Sequence, residues 1–152
     1  MNGKKYELLQ DQTIEWRGRT LYRICALRDF RSVHAGDVGG YIECEHNLSQ
    51  DGNAWVYDNA RVYGDARVYG DAWVCGDALV YDNARVYGDA LVCNNALVYD
   101  NAWVYGDAWV YDNAWVYDNA RVYDNARVYD NARVCGDAWV YDNARVYGDA
   151  DG

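Results

Sequence analysis

The 152-residue chain has no proline, one methionine and one phenylalanine, yet sixteen tyrosines and seven tryptophans. An ordinary globular composition does not drift this far; a copied unit does. Histidine is scarce too. His34 and His46 are the only two, so a zinc site built on three histidines is excluded by count. From residue 54 onward, almost two-thirds of the chain, there is no histidine, lysine, serine or threonine, which removes a histidine base and the serine and threonine nucleophiles. No apolar stretch is long enough to span a membrane, and MNGKKYELLQ at the N-terminus lacks the apolar run of a signal peptide. Five cysteines form an odd set without the close spacing of a secreted scaffold, so reduced thiols and a cytoplasmic origin, or a phage particle, are expected.

The charge is one-sided. Formal net charge is −10. Up to Asn53 seven basic side chains nearly balance eight acidic ones; beyond it seven arginines face sixteen aspartates. Such a surface repels phosphate backbones, so nucleic acid is not an expected partner.

What is present is a six-residue period. Alanine returns every six residues from Ala54 to Ala150, seventeen times, and valine from Val56 to Val146, sixteen times. The unit reads Ala-x-Val-Tyr-(Gly/Asp)-(Asp/Asn), with x being Trp, Arg or Leu. Ala-x-Val-Tyr alternates faces as a strand does. The last two positions are turn formers that tolerate left-handed backbone. Position x is arginine seven times (61, 67, 85, 121, 127, 133 and 145), and a column of unpaired arginines cannot be buried. Hence x and tyrosine point outward, and alanine and valine form a narrow core.

Val-Tyr-Gly-Asp-Ala-Arg and its variants resemble the hexapeptide motif of left-handed β-helix proteins, an aliphatic residue followed four places later by a small one. Gly39-Gly40-Tyr41-Ile42 and Asn47-Leu48-Ser49-Gln50, leading into Gly52-Asn53-Ala54-Trp55-Val56, resemble uncharacterised bacterial and prophage hexapeptide-repeat proteins. The resemblance implies an all-β, single-stranded parallel β-helix: left-handed, triangular, three hexapeptides per coil of about eighteen residues. Residues 1–53 are expected to form an N-terminal cap, a hairpin plus an irregular first coil, and residues 54–152 the β-helix. Thr13–Trp16 and Thr20–Ala26 read as the hairpin strands around Arg17-Gly18-Arg19; Val38, Ile42 and Leu48 read as first-coil core. No comparable cap precedes Asp149-Ala150-Asp151-Gly152, so end-to-end contact there is a further expectation.

Many hexapeptide β-helices are acyltransferases that use a histidine base and inserted loops; these repeats have neither. Ice-binding solenoids need threonine ladders, and Thr13 and Thr20 both lie outside the repeat. Stacked at eighteen residues, one face carries Trp55, Trp73, Leu91 and Trp109; a second carries Leu79, Leu97 and Trp115; a third carries Trp103, Arg121 and Trp139. These ten are the candidate binding or interface residues, with an apolar patch expected across the first two faces. No catalytic residue, metal ligand or cofactor is expected. Cys75 and Cys93 are expected as free thiols at tyrosine positions, and the stacked aspartates as solvated acids beside asparagine ladders. The expected function is a non-enzymatic structural or interaction rod, self-associating and phage-derived. The alternatives are a carbohydrate-binding tail-fibre or adhesin element, and more remotely an acyltransferase-like enzyme.

Overall fold

A computed structural model of the chain describes residues 4–148. Three longer strands come first: β1 (Tyr6–Trp16), β2 (Arg19–Ala26) and β3 (Val38–Ile42). A short 3-10 turn at Glu45–Asn47 follows. Sixteen two-residue strands then run from β4 (Trp55–Val56) to β19 (Arg145–Val146), each the x–Val pair of one repeat. Every such strand pairs in parallel with the one eighteen residues away: Trp55 with Trp73, Arg61 with Leu79, Arg67 with Arg85. Three sheets therefore run the length of a parallel β-solenoid, with six rungs on the first face and five on the third. On the second face five rungs are continued by β3, β2 and β1.

The core is as the period requires. Each alanine from Ala54 to Ala132 and each valine from Val56 to Val134 is at most 1% exposed. Only a residue of that size fits where three inward faces converge. The corners also follow from residue type. The first residue of all sixteen corner pairs, from Asp58 to Gly148, has φ between 56° and 68°. Glycine enters that region freely, and aspartate and asparagine enter it more readily than other side chains. Backbone bonding continues around these corners: Asn83 N–H donates to the Asp100 carbonyl at 2.8 Å, in step with the strand bonds.

Those ladder bonds have a direction. Trp55 N–H donates to the Ala72 carbonyl and Tyr57 N–H to the Val74 carbonyl, so the alanine and valine carbonyls of each coil accept from the coil before. The first coil would then present carbonyls with no donor above them, a costly arrangement where water is excluded. The N-terminal segment supplies a different donor on each face. On the second face β3 lies parallel above Arg61–Val62. On the third, Ser49 N–H donates to the Val68 carbonyl, and the Tyr6 hydroxyl donates to the Leu48 carbonyl at 2.6 Å. On the first, Lys5 is fully buried and its Nζ donates to the Ala54 carbonyl at 2.7 Å. Burial, with Arg28 nearby, lowers the Lys5 ammonium to a pKa of about 8.

The cap hairpin turns at Arg17 (φ 50°) and Gly18 (φ 79°), the two consecutive positive angles of a two-residue hairpin loop. Its first strand is longer than the Thr13 start read from sequence: it begins at Tyr6, with a register shift between Leu9 and Thr13. The polar stretch through Gln10–Gln12 hides that strand from an alternation test. Ile42 and Leu48 are buried as expected, but Val38 is 50% exposed. Docking β3 needs glycine twice. A Cβ on Gly39 would lie 2.5 Å from the Val56 carbonyl oxygen, and one on Gly40 2.6 Å from that of Ala60. Asp149–Gly152, to which the uncapped-end expectation refers, lie outside the described residues.

Candidate functional site

With the core filled by alanine and valine, chemistry is confined to corners, the tyrosine position and position x. At the corners the structure adds to one expectation. The aspartates that open the corners are exposed or partly exposed, and their carboxylates also accept backbone N–H groups of the next coil. Asp82 accepts from Asp100 N–H at 3.3 Å, Asp100 from Asp118 at 3.1 Å, and Asp118 from Gly136 at 3.0 Å. A left-handed corner turns its N–H outward, within reach of the side chain one coil earlier. Asparagine ladders accompany them, as with Asn94 Nδ2 donating to Asp112 at 3.1 Å. Partial burial still raises the Asp100 pKa, and the carboxylates of Asp82 and Asp118 add to the shift against the bond from Asp118 N–H.

The tyrosines form ladders. On the third face Tyr69, Tyr87, Tyr105, Tyr123 and Tyr141 stack in near-parallel planes, with centroids 4.8–5.5 Å apart. Tyr63, Tyr81, Tyr99 and Tyr117 do the same on the second face at 5.0–5.1 Å. The rung spacing of a parallel sheet sets this distance, and each stacked pair contributes about 0.5–1.5 kcal/mol. Burial, then neighbouring Tyr81 and Tyr117, pushes the Tyr99 hydroxyl up to about 12. The first-face ladder is interrupted by Cys75 and Cys93. Here the expectation of free thiols is overturned. Adjacent rungs bring the two Cα atoms to 4.5 Å, inside bridging range, and the sulfurs are joined. Cys25, Cys44 and Cys135 are free.

Position x is where faces differ. Arginines lie over tryptophans: Arg121 over Trp103 at 4.3 Å, Arg127 over Trp109 at 4.4 Å, Arg133 over Trp115 at 4.3 Å. Trp103, Arg121 and Trp139 thus form one cation–π column, and Trp139 is 58% exposed at its lower end. Trp73, Leu91 and Trp109 are direct neighbours on the first face, and Leu79, Leu97 and Trp115 on the second. These two rows belong to different sheets, separated by the corners at Gly76-Asp77 and Asn94-Asn95. The joint patch read from sequence is therefore two parallel rows.

One candidate is displaced outright. Trp55 was expected on the outer surface with the rest of its column, but it is 1% exposed. Tyr6 and Phe30 pack against its ring edge-on at 6.2 and 5.3 Å. The cap also reaches Trp73, with Arg31 over its ring at 4.8 Å. The hairpin tip covers the upper second face: Arg61 lies over Trp16 at 4.2 Å, Arg17 over Tyr81 at 5.7 Å, and Tyr63 is buried. His34 and His46 are both exposed, and His46 Nε2 accepts a hydrogen bond from Arg67 Nε at 2.9 Å.

Known proteins match the same region. The model of the YdcK β-solenoid repeat matches six overlapping windows: 54–70, 60–76, 72–88, 78–94, 120–136 and 126–142. These windows join into 54–94 and 120–142, so the array is similar to that β-solenoid repeat. A 38-residue stretch is 50% identical to a protein of Escherichia coli (strain K12) described as the uncharacterized acetyltransferase YdcK. That match covers 25% of this chain and 12% of the other protein's length.

Proposed function

We propose that the protein is a non-catalytic interaction rod that associates with a second copy of itself through the first face. The observation carrying this reading is the first-face row below the cap, Leu91–Trp109, which continues from the cap-covered Trp73. It is apolar where x elsewhere in the array is so often arginine, and Trp109 at its lower end is 39% exposed. The Cys75–Cys93 bridge runs beside it, two residues along the strand, and widens the apolar strip. The repeats carry no histidine, lysine, serine or threonine, which supports a binding role over a histidine-based acyl transfer. The resemblance of the hexapeptides supports a left-handed coil.

Sedimentation of the full chain tests the proposal. The native protein is expected to sediment as a dimer or larger, and Leu91→Glu with Trp109→Glu as a monomer of unchanged circular dichroism. A native monomer overturns self-association. In that case the exposed Trp109 and Trp139 make glycan stacking the reading to examine, with a glycan array and the Trp109→Ala variant as its test.

A further inference from the structure

The upper third face differs from the other two. The cap covers Trp55 and Trp73 on the first face and Arg61, Tyr63 and Tyr81 on the second. On the third it leaves an open cleft of about 320 Å³ bounded by His46, Ser49, Arg67, Val68, Tyr69 and Arg85.

Two features of this cleft are unsatisfied. The first is charge. Arg67 and Arg85 are direct partners on adjacent strands, which puts their backbones about 4.8 Å apart. Neither lies within 4 Å of a carboxylate among the described residues. Arg85 at least approaches the Trp103 ring at 5.6 Å. Arg67 has only the hydrogen bond to His46 Nε2, a ring that carries no negative charge to offset its own. Of the acids at the corners flanking Arg67–Tyr69, Asp71 is engaged by the Asn53 side chain at 3.0 Å.

The second feature is a missing ring. In the regular array the residue whose N–H bonds a valine carbonyl sits above the residue after that valine, as Tyr87 sits above Tyr105. Ser49 N–H bonds the Val68 carbonyl, so Ser49 occupies the place above Tyr69. The tyrosine ladder thus ends on a serine. Tyr69 is stacked on Tyr87 below at 4.8 Å, and no ring covers its upper side among the described residues. Arg127 and Arg145 on the first face form the only similar stacked arginine pair in the array, and they make the contrast clear. Their neighbour Tyr129 lies between Tyr111 and Tyr147, so the ring place beside Arg127 is filled.

We propose that this cleft is a binding site for a small aryl oxyanion: one flat ring carrying a phosphate group. The ring continues the ladder on Tyr69. The phosphate lies between the Arg67 and Arg85 guanidiniums, whose planar donors suit its oxygens. The Ser49 hydroxyl donates a further hydrogen bond. Arg67 and Tyr69 are two residues apart on the same side of one strand, roughly 7 Å, a span the arginine stem closes onto a ring-borne group. The anion removes the repulsion between the stacked arginines, and the ring covers the open tyrosine face.

Calorimetric titration of the full chain with phenyl phosphate, inorganic phosphate and phenol tests this. Phenyl phosphate is expected to bind once per chain and at least tenfold more tightly than either fragment. Arg67→Gln and Arg85→Gln should each weaken it tenfold or more, while Arg127→Gln on the first face leaves it unchanged. Ser49→Phe, which fills the ring place, should reduce phenyl phosphate to the affinity of inorganic phosphate. Melting curves on each variant separate lost binding from lost folding. The proposal is overturned by an absence of saturable phenyl phosphate binding, by binding that survives both arginine substitutions in folded protein, or by equal affinity for phenyl and inorganic phosphate.

Discussion

The cap and the rod solve one problem in opposite ways. Both must pair every backbone group of a coil whose interior is closed to water. In the rod each partner is a copy of the same residue eighteen positions away, so one solution is written sixteen times. In the cap nothing is repeated. Lys5, Tyr6, Asn47 and β3 each satisfy carbonyls that no other residue could reach: Asn47, fully buried, donates to Ala66 at 2.9 Å and Gly64 at 3.2 Å. A solenoid interior is a nearest-neighbour structure, and its ends are not. Single substitutions should therefore be felt more in the cap than in the rod.

Gly39→Ala should break the comparison hardest. Its methyl group would meet the Val56 carbonyl oxygen and the Trp55 ring, and that carbonyl is backbone of a fully buried residue with no room to move aside. A loss of about 3 kcal/mol is expected, read as a lower denaturant midpoint. A neutral result would mean that the cap is not docked on the first coil as described. Lys5→Met comes next. It keeps the apolar stem and leaves the Ala54 carbonyl without its donor, for a loss of about 1–3 kcal/mol. Its pH dependence supplies a second reading. The Lys5 pKa is lower in the folded chain, about 8 against an ordinary 10.5, so the unfolded chain binds more protons between those values. The contribution of this residue to stability is then full above pH 10.5 and declines as pH falls through 8. That slope should vanish from thermal melts of the variant, and a slope shared by both proteins would remove Lys5 as its source.

The smallest effect belongs to the rod. Asp100 has a raised pKa, so the folded chain holds its proton at a pH where the unfolded chain has released it. The group contributes most below the ordinary aspartate range and loses that contribution as pH rises through its folded value. At neutral pH the full unfavourable contribution is present. Asp100→Asn keeps an acceptor for Asp118 N–H and suits a left-handed corner, as Asn94 does. A rise in melting temperature on the order of 1 °C is expected at pH 7, closing as the pH is lowered through the carboxylate range. A larger gain at pH 3 than at pH 7 would reverse the assignment.

The sequence was most informative where its period and its residue types agreed. Arginine at seven x positions put alanine and valine inside, and the turn formers put every corner in the left-handed region. Where side chains change role without leaving the period, it was silent. Trp55 stands in register with Trp73 and Trp109, and nothing in its own repeat marks it as covered. Phe30 and Tyr6, which bury it, lie 25 and 49 residues away in irregular sequence. Cys75 and Cys93 were legible as neighbours but not as bonded. Ser49 could have been found only by knowing that Leu48 bridges Val68, a pairing offset by twenty rather than eighteen residues.

By itself, then, the sequence determined the repeating cross-section: which residues face in, where the chain turns, and that successive coils stack in register. Those features depend on contacts between a residue and its own copy, so one unit contains the information for all. Tertiary structure alone decided which of three chemically similar faces are closed and which stays open. The N-terminal segment is a single object laid on a three-sided end; covering two upper faces left the third, with its stacked arginines and its unfinished tyrosine ladder, exposed to solvent.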